Sequence, residues 1–441
     1  MIHKTDQGTF TCGPFSSMLG LAFAVLNSWT ALSASLSVSL SSGGSTSIVW
    51  EWVPILSWVT GWVNVVGWVA LVATNALLSS QLIVGVVYAK SGYQVTNWQQ
   101  FLVYIGFTLI AFLLNAFMNS VLPRIYKGAL FWSLGGFAVV SITALACASP
   151  NYNSGKFVFT EFINATGWPD GVAWLLGPSK RGPRIMVGCI GIGISTGSIF
   201  LVVLLFVAGD IQQVIESSAG PLLQILINAT KSTAGAICLL MFPLVCLAFA
   251  TISVMTTSSR MIFAFARDGG LPASKFLARV HPRLGLPLNA LLLTSVVVAI
   301  FGVINIASTN AFNAIISAAV VTLDLSYAMP IAVNCLQGRK TLPDRDWKLP
   351  MWLGWTCDII ALSYIAITTV LFVFPPQRHV TGSNMNYCIV AFAIILAISI
   401  FQWIVDGRKN YAGPRIDAAV TDVAVLQKEE EETTQTVELQ S

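Results

Sequence analysis

The chain has 441 residues, of which 55% are hydrophobic and only 10% are charged, and its formal net charge is +4. Soluble domains carry about 25% charged residues, so a chain this poor in charge could not cover its own surface in water. A mean hydropathy of +0.76 is instead typical of a chain that a lipid bilayer solvates. Composition therefore predicts an integral membrane protein and excludes a soluble enzyme.

Ten apolar runs are long enough to cross a bilayer, which takes roughly 20 mostly apolar residues in a helix. In chain order the runs cover 15–40, 53–88, 101–121, 128–149, 185–208, 233–257, 286–306, 309–336, 350–374 and 386–405. We therefore expect an all-α polytopic membrane protein with about ten full transmembrane helices. Its transmembrane domain would cover 15–412, between a cytoplasmic N-terminal tail at 1–14 and a disordered, acidic cytoplasmic tail at 413–441.

The Lys and Arg residues of short loops predict which loops lie in the cytoplasm, where these residues concentrate. Segments 258–285 and 337–348 contain five and four of them, and Arg408 and Lys409 follow the last run. These two loops and the C-terminus are therefore expected inside. Counting back across single helices places 209–232 outside.

Two tripeptide sequons for N-glycosylation lie in segments that this count places outside. Asn164-Ala-Thr166 falls in 150–170, and Asn228-Ala-Thr230 falls in 209–232. Asn164 and Asn228 are therefore the candidate glycosylation sites.

The alternation of sides fails at two places in the sequence. Residue 170 is expected outside, whereas 178–184, with three basic residues, is expected inside. Only the apolar stretch 171–177 lies between them, and seven helical residues cover roughly 10 Å of a hydrocarbon core about 30 Å thick. A similar count places both 50–52 and the N-terminal tail inside, with the single run 15–40 between them. The sequence therefore lacks one crossing helix at each place.

Two aspartates lie in apolar runs. Asp324 is deep in the run 309–336, where a carboxylate is expensive and therefore a functional candidate. It could pair with a cationic substrate, carry a proton or bond to another helix. Asp358 is nearer the start of its run, where we expect the helix dipole to stabilise it.

Motifs for other chemistry are not visible in the sequence. There is no hydrolase triad, nucleotide-binding loop or zinc motif, and the eight cysteines show no CxxC spacing. We expect no metal, no cofactor and no nucleic-acid partner. The 14 tryptophans are expected at the membrane interfaces, where indole rings are enriched.

Several stretches resemble one family of membrane proteins. They are 17–35, 52–62, the cytoplasmic loop Ser259-Arg-Met-Ile-Phe-Ala-Phe-Ala-Arg-Asp-Gly-Gly-Leu-Pro272, Asp324-Leu-Ser-Tyr-Ala-Met-Pro330 and Asp406-Gly-Arg-Lys409. They are similar to the fungal amino-acid/choline/γ-aminobutyrate (GABA) permeases of the amino acid–polyamine–organocation superfamily. The resemblance covers nearly the whole chain except the termini. The family has its second helix and most of its sixth helix where this chain shows the two breaks.

The resemblance implies an inverted-repeat transporter fold of five plus five helices, with two more. In such folds the first and sixth helices break near the midplane, and their free backbone groups hold the substrate. The residues in the middle of the first run, which could line that site, are Asn27, Ser28, Trp29 and Thr30. Their hydroxyl groups could instead bond to their own helix or pack against a neighbour. Asp324 joins them as a candidate for substrate binding.

The loop motif of the resemblance contains Arg260, Arg267, Asp268, Gly269 and Gly270. Its charged residues could form an inner gate through ion pairs, or they could only fix the topology, which a basic loop does without a further role.

The function implied is transport of small amino acids, GABA, choline or related amines by alternating access. The expected setting is the plasma membrane, with a proton as one candidate for the coupling ion and the lipid bilayer as a partner. Oligomeric state stays open. The alternative is a truncated permease that does not transport, because the sixth helix would supply half of the substrate site.

Overall fold

The computed structural model describes residues 54–119, 121–149, 152–153, 184–210, 213–214, 217–336, 338–339, 350–374, 387–408 and 411. Within them the chain forms helices α1 (Pro54–Ser91), α2 (Asn97–Phe117), α3 (Leu122–Ala148), α4 (Arg184–Val207), α5 (Pro221–Thr230), α6 (Thr233–Arg267), α7 (Ser274–Leu277), α8 (Leu288–Ala307), α9 (Thr309–Leu336), α10 (Met351–Val373) and α11 (Cys388–Gln402). A π-helical turn, Trp403–Gly407, extends α11. These ranges contain no strand, only an isolated bridge between His281 and Leu286.

Eight helices in the described ranges are long and apolar enough to cross a membrane: α1, α2, α3, α6, α8, α9, α10 and α11. Helix α4 has 24 residues, and its side chains are described from Ser195 onward. The prediction of an all-α polytopic membrane protein is confirmed. The run 15–40 and the two tails lie outside the described residues, so the total of about ten helices and the five-plus-five repeat stay predictions.

Helix α5 lies in the segment 209–232, which the sequence analysis treats only as a loop. It begins after Gly220, whose φ of +88° favours glycine, and Pro221 supplies a preset φ for its first turn. Its ten residues cover only about 15 Å, which is too short to cross the hydrocarbon core. Leu223 and Leu226 bury its apolar face. The helix therefore packs on the bundle without crossing the membrane.

Helix α1 is the central helix of the bundle and runs antiparallel to α6. At one end the ring centroids of Trp58 and Phe265 lie 5.9 Å apart. At the other end Leu82 and Val86 pack in a cluster with Leu239 near the start of α6. Because the two helices are antiparallel over this length, a residue further along α1 faces a residue correspondingly nearer the start of α6.

Helix α9 packs antiparallel on another face of α1. Asn64 Nδ2 donates to Ser326 Oγ (3.1 Å), and Thr60 Oγ1 donates to Met329 Sδ (3.1 Å). A Cβ on Gly67 would lie 2.6 Å from Leu323 Cγ. Small residues permit this backbone approach, which drives helix association where both surroundings are apolar.

Helices α3 and α4 are parallel neighbours, unlike α1 and its partners. Asn153, just beyond the end of α3, donates through its backbone N–H to Phe206 O (3.0 Å) and through Nδ2 to Leu205 O (2.9 Å). Ala148 clusters with Val203 and Val207 at the end of α4. The C-terminal ends of both helices therefore lie together. This arrangement agrees with the loop charges, which require the chain to cross back between α3 and α4.

The C-terminus of α6 is capped by the two glycines of the cytoplasmic loop motif. Gly269 has a φ of +82°, its N–H donates to Ala266 O (3.0 Å), and the Gly270 N–H donates to Phe265 O (2.8 Å). This pair of bonds is a Schellman motif, which satisfies carbonyl groups at a helix end. A Cβ on Gly270 would overlap the Phe265 ring. The Gly-Gly pair therefore has a structural role in ending the helix.

An aromatic cluster closes the same end of the bundle. Tyr411 contacts Trp58 (5.2 Å between centroids) and Phe265 (6.1 Å), and its hydroxyl lies 2.5 Å from Ser57 Oγ. Burial raises the pKa of Tyr411 to about 12, although the bond to Ser57 lowers it. The hydroxyl is therefore neutral at physiological pH. It fixes the chain beyond α11 to the start of α1.

We expect Gly270→Ala to lower the thermal midpoint of the purified protein in detergent, because the new methyl group would displace the Phe265 ring. Overpacking of this kind costs about 1–3 kcal/mol. Gly106→Ala on α2 is the matched control, since no atom lies within 4 Å of its Cβ position. Equal midpoints for the two variants would contradict the cap geometry.

Candidate functional site

The contact between α1 and α6 brings two buried polar groups to the same depth. Gly61 packs against Phe265. Seven residues are nearly two helical turns, about 10 Å, and return to the same helix face. In an antiparallel pair, seven residues forward on α1 and seven back on α6 reach Trp68 and Ser258. Both residues are 0% exposed. On this register they lie on facing sides of the two helices. The loop predicted at 258–285 begins later than expected, because α6 continues to Arg267, and Ser258 lies two residues before the exposed Arg260.

Trp68 Nε1 and Ser258 Oγ have no hydrogen-bond partner among the described residues. An indole N–H can only donate, whereas a hydroxyl can donate and accept. A buried donor without a partner costs about 1–3 kcal/mol, so such groups call for a polar partner. Two donors on facing helices suit an acceptor such as a carboxylate.

Trp62 Nε1, beside Gly61 on α1, also has no partner among the described residues, whereas other buried polar groups near this contact bond to the protein itself. Asn115 Nδ2 on α2 donates to Ile252 O on α6 (3.1 Å), and the Thr256 hydroxyl bonds to Asn115 Oδ1. The Tyr126 hydroxyl on α3 lies 2.9 Å from Thr256 Oγ1. This network joins three helices, near the end of α2 and the start of α3, and explains its polar residues without a ligand.

Asp324 does not point towards α1. Leu323 and Ser326 on α9 contact α1, whereas the Asp324 Oδ2 atom lies 3.4 Å from Thr368 Oγ1 on α10. Its carboxyl group is therefore on a different side of α9 from the contact between α1 and α6. The structure does not bring Asp324 together with Trp68 and Ser258.

The expectation for Asp358 was wrong, because an ion pair holds it and not the helix dipole. Arg339, in the turn after α9, bonds through Nη1 to Asp358 Oδ2 on α10. Asn334 Nδ2 also donates to this oxygen (3.4 Å). Asp358 is the eighth residue of α10, beyond the first turn in which the dipole acts. The pair instead ties the end of α9 to α10.

The charged residues of the loop motif are placed near the end of α6. Arg267 Nε lies 3.5 Å from Oδ1 of its neighbour Asp268, and the Arg267 side chain is 43% exposed. An exposed pair of this length contributes little energy. Arg260 is exposed, one turn beyond Thr256. The gate role and the topology role both stay predictions.

Of the remaining predicted sites, only Asn228 lies within the described residues. Asn228 is on α5, where its Nδ2 donates to Ala208 O (3.0 Å) and its Oδ1 accepts from Gln224 (2.9 Å). Asn27, Ser28, Trp29, Thr30 and Asn164 lie outside the described residues. Among the residues that the structure describes, no group of three His, Cys, Asp or Glu could hold a metal ion.

Sequence reasoning missed Trp68 and Ser258. The tryptophans were expected at membrane interfaces, and Trp68 is instead fully buried. Its position relative to Ser258 depends on the contact between Gly61 and Phe265, two residues that are far apart in sequence. The only signal in the sequence was a short run of polar side chains within the otherwise apolar α6.

Known proteins resemble this chain over most of its length. A sequence model described as "Amino acid permease" matches residues 12–398. The chain is 30% identical to a protein of Macrophomina phaseolina named "Putative amino acid/polyamine transporter", over 87% of this chain and 99% of the relative. It is 28% identical to the choline transporter of Saccharomyces cerevisiae, over 90% of this chain and 81% of the relative. It is 29% identical to amino-acid permease BAT1 of Arabidopsis thaliana, over 92% of this chain and 85% of the relative.

All three of these matches are longer than the chain itself. The match to the M. phaseolina protein has 451 positions, but 87% of 441 residues is only about 384, so about 67 positions of the relative have no counterpart here. For the yeast choline transporter, 468 positions against about 397 residues (90% of 441) leave about 71. The chain therefore lacks internal segments that both relatives have. Their combined length suits two crossing helices with their loops.

Two substitutions on α6 separate a structural hydroxyl from one that bonds to no described residue. We expect Thr256→Val to lower the free energy of unfolding by about 1–3 kcal/mol, because Asn115 Oδ1 and the Tyr126 hydroxyl lose their partner. Ser258→Ala should leave stability nearly unchanged. Unfolding in detergent by denaturant measures both. A loss for Ser258→Ala as large as that for Thr256→Val would contradict this assignment.

Proposed function

Since the chain belongs to the amino acid permease family, whose members are membrane transporters and not enzymes, we propose that it is a secondary active transporter of a small amino acid, GABA, choline or a related amine. The substrate would cross the plasma membrane by alternating access. Its binding site would include Asn27, Ser28, Trp29 and Thr30 of the first run. The observation that carries the proposal is the pair of buried donors on α1 and α6, in a chain of this family.

The chemistry of these donors favours a substrate with a carboxylate. The Trp68 N–H and the Ser258 hydroxyl could both donate to carboxylate oxygens, and bonds to a charged group are the stronger kind. An amino acid or GABA has such a group, whereas choline has a hydroxyl and a quaternary ammonium group but no carboxylate. Among the candidates, an amino acid or GABA is therefore the preferred substrate.

We expect cells that lack their own permeases to take up labelled amino acid or GABA when they express this chain. Ser258→Ala should raise KM roughly tenfold or more, because a hydrogen bond to a charged group contributes about 1.5–3 kcal/mol. Ser253→Ala is the control on the same helix, since the Ser253 hydroxyl bonds to Phe249 O (2.9 Å). Uptake equal to empty-vector cells for every candidate, with the protein present at the cell surface, would reject the transport function.

A second candidate is a chain that no longer transports. The parallel arrangement of α3 and α4 favours it, because no spanning run connects them in the sequence, and relatives contain about 70 further internal positions. The sixth helix of such folds supplies half of the substrate site. Sequencing of the transcript decides between the candidates. Additional codons after Trp50 and Gly177 would mean a complete permease in the cell, whereas their absence together with no uptake would establish the second candidate.

The proposed orientation places the C-terminus in the cytoplasm and 150–170 outside. Because Asn228 lies in the folded α5 and its amide nitrogen donates to Ala208 O, we expect the oligosaccharyltransferase to use Asn164 in preference. Removal of N-glycans should shift the electrophoretic mobility of the wild type and of Asn228→Gln, but not of Asn164→Gln. A shift that depends on Asn228 alone would contradict this preference, and no shift in any variant would remove this support for the orientation.

A further inference from the structure

Asp324 is a carboxyl group inside the bilayer that faces no basic residue among those described. It lies near the middle of the 28-residue α9, on the side that packs against α10. Of the helices around α9, α8 has no charged residue and α1 has only Lys90, in its last turn. On α11 the nearest titratable group is Cys388, which packs with Leu325. No positive charge of the described chain is therefore placed to balance an ionised Asp324.

The titratable groups of α10 do not balance it either. Tyr364 is close enough to interact electrostatically with Asp324, but a phenol carries no positive charge. Asp358, ten residues before Thr368, is already paired with Arg339. The partner that remains for Asp324 is the Thr368 hydroxyl at 3.4 Å.

The hydrogen atoms at this contact favour a neutral carboxyl group. The Thr368 hydroxyl has one hydrogen, and three acceptors lie near it: Tyr364 O (2.9 Å), Ile365 O (3.1 Å) and Asp324 Oδ2 (3.4 Å). If its hydrogen goes to the nearest acceptor, an ionised Asp324 receives no hydrogen bond. A protonated Asp324 can instead donate to Thr368 Oγ1, while Thr368 donates to Tyr364 O. Every group is then satisfied, and no unpaired charge is buried.

We propose that Asp324 is the proton-binding residue of this transporter, neutral in the present conformation and bonded through Thr368 to α10. This proposal rests on the proposed transport function. Release converts the carboxylic acid to a carboxylate and passes one proton to water, so the contact between α9 and α10 must open to solvent for exchange. The proton thereby links the packing of α10 on α9 to the transport cycle, and moves with the substrate.

Infrared spectroscopy tests the protonation without any need for transport. The wild-type protein in lipid at neutral pH should show the carbonyl band of a protonated carboxylic acid, and Asp324→Asn should lose it. Thr368→Val should keep the band but shift it, because the acid loses its acceptor. Asp358→Asn is the matched control and should leave the band in place, since an ion-paired carboxylate does not contribute to it. A band that persists unchanged in Asp324→Asn, or its absence from the wild type, would overturn the proposal.

Uptake tests the coupling. Asp324→Asn fixes the neutral form, so it should retain exchange of labelled for unlabelled substrate across the membrane but lose accumulation driven by a proton gradient. Gradient-driven accumulation at the wild-type level in Asp324→Asn would overturn the coupling role. A wild type that neither exchanges nor accumulates substrate would instead refute the transport function, and the infrared result would still decide the protonation of Asp324.

Discussion

A bilayer offers no water to the backbone, so every crossing segment must satisfy its own N–H and C=O groups as a helix. Consecutive crossings must then alternate in direction. Strict alternation along α1, α2, α3, α4 and α6 would make α1 and α6 parallel, yet α1 is antiparallel to α6 and to α9. A departure from this rule therefore lies between α1 and α6. Helices α3 and α4 do not follow it, since they are parallel and their ends meet at Asn153. The same constraint that builds the bundle therefore requires the chain to return across the membrane between Asn153 and Arg184, where the sequence contains no spanning run.

The described helices pack closely on one another. Gly61 and Gly67 on α1 let Phe265 and Leu323 approach its backbone. The Schellman motif at Gly269 and the contacts of Tyr411 then close one end of the bundle. The contacts of α1 with Phe265, Leu323 and Tyr411 join residues more than 200 positions apart in sequence. A scaffold of this kind can persist in a family member that has lost part of its substrate site, so its intactness supports the fold more than it supports transport.

Much of the fold could be predicted because length and apolarity alone define a crossing helix. The rotation of each helix about its axis could not, because lipid-facing and protein-facing residues are both apolar and the usual contrast between faces is weak. Rotation decides that Trp68 is buried, that Asp324 faces α10 and that Asp358 meets Arg339. Helix α5 was missed for a different reason, because its ten residues, with one apolar face, are fewer than a crossing run needs. The candidate site thus depends on helix rotation, which the sequence pattern in a membrane protein scarcely encodes.

The orientation of α4 relative to α3 is the central structural claim, and labelling of single cysteines by an impermeant thiol reagent tests it most directly. With α3 and α4 parallel, Asn153→Cys and Asp210→Cys should react in intact cells, whereas Arg184→Cys should react only after the cells are made permeable. The parent chain provides the background from its own cysteines. Reaction of Arg184→Cys in intact cells to the extent of Asp210→Cys would contradict the parallel arrangement, and with it the missing crossing.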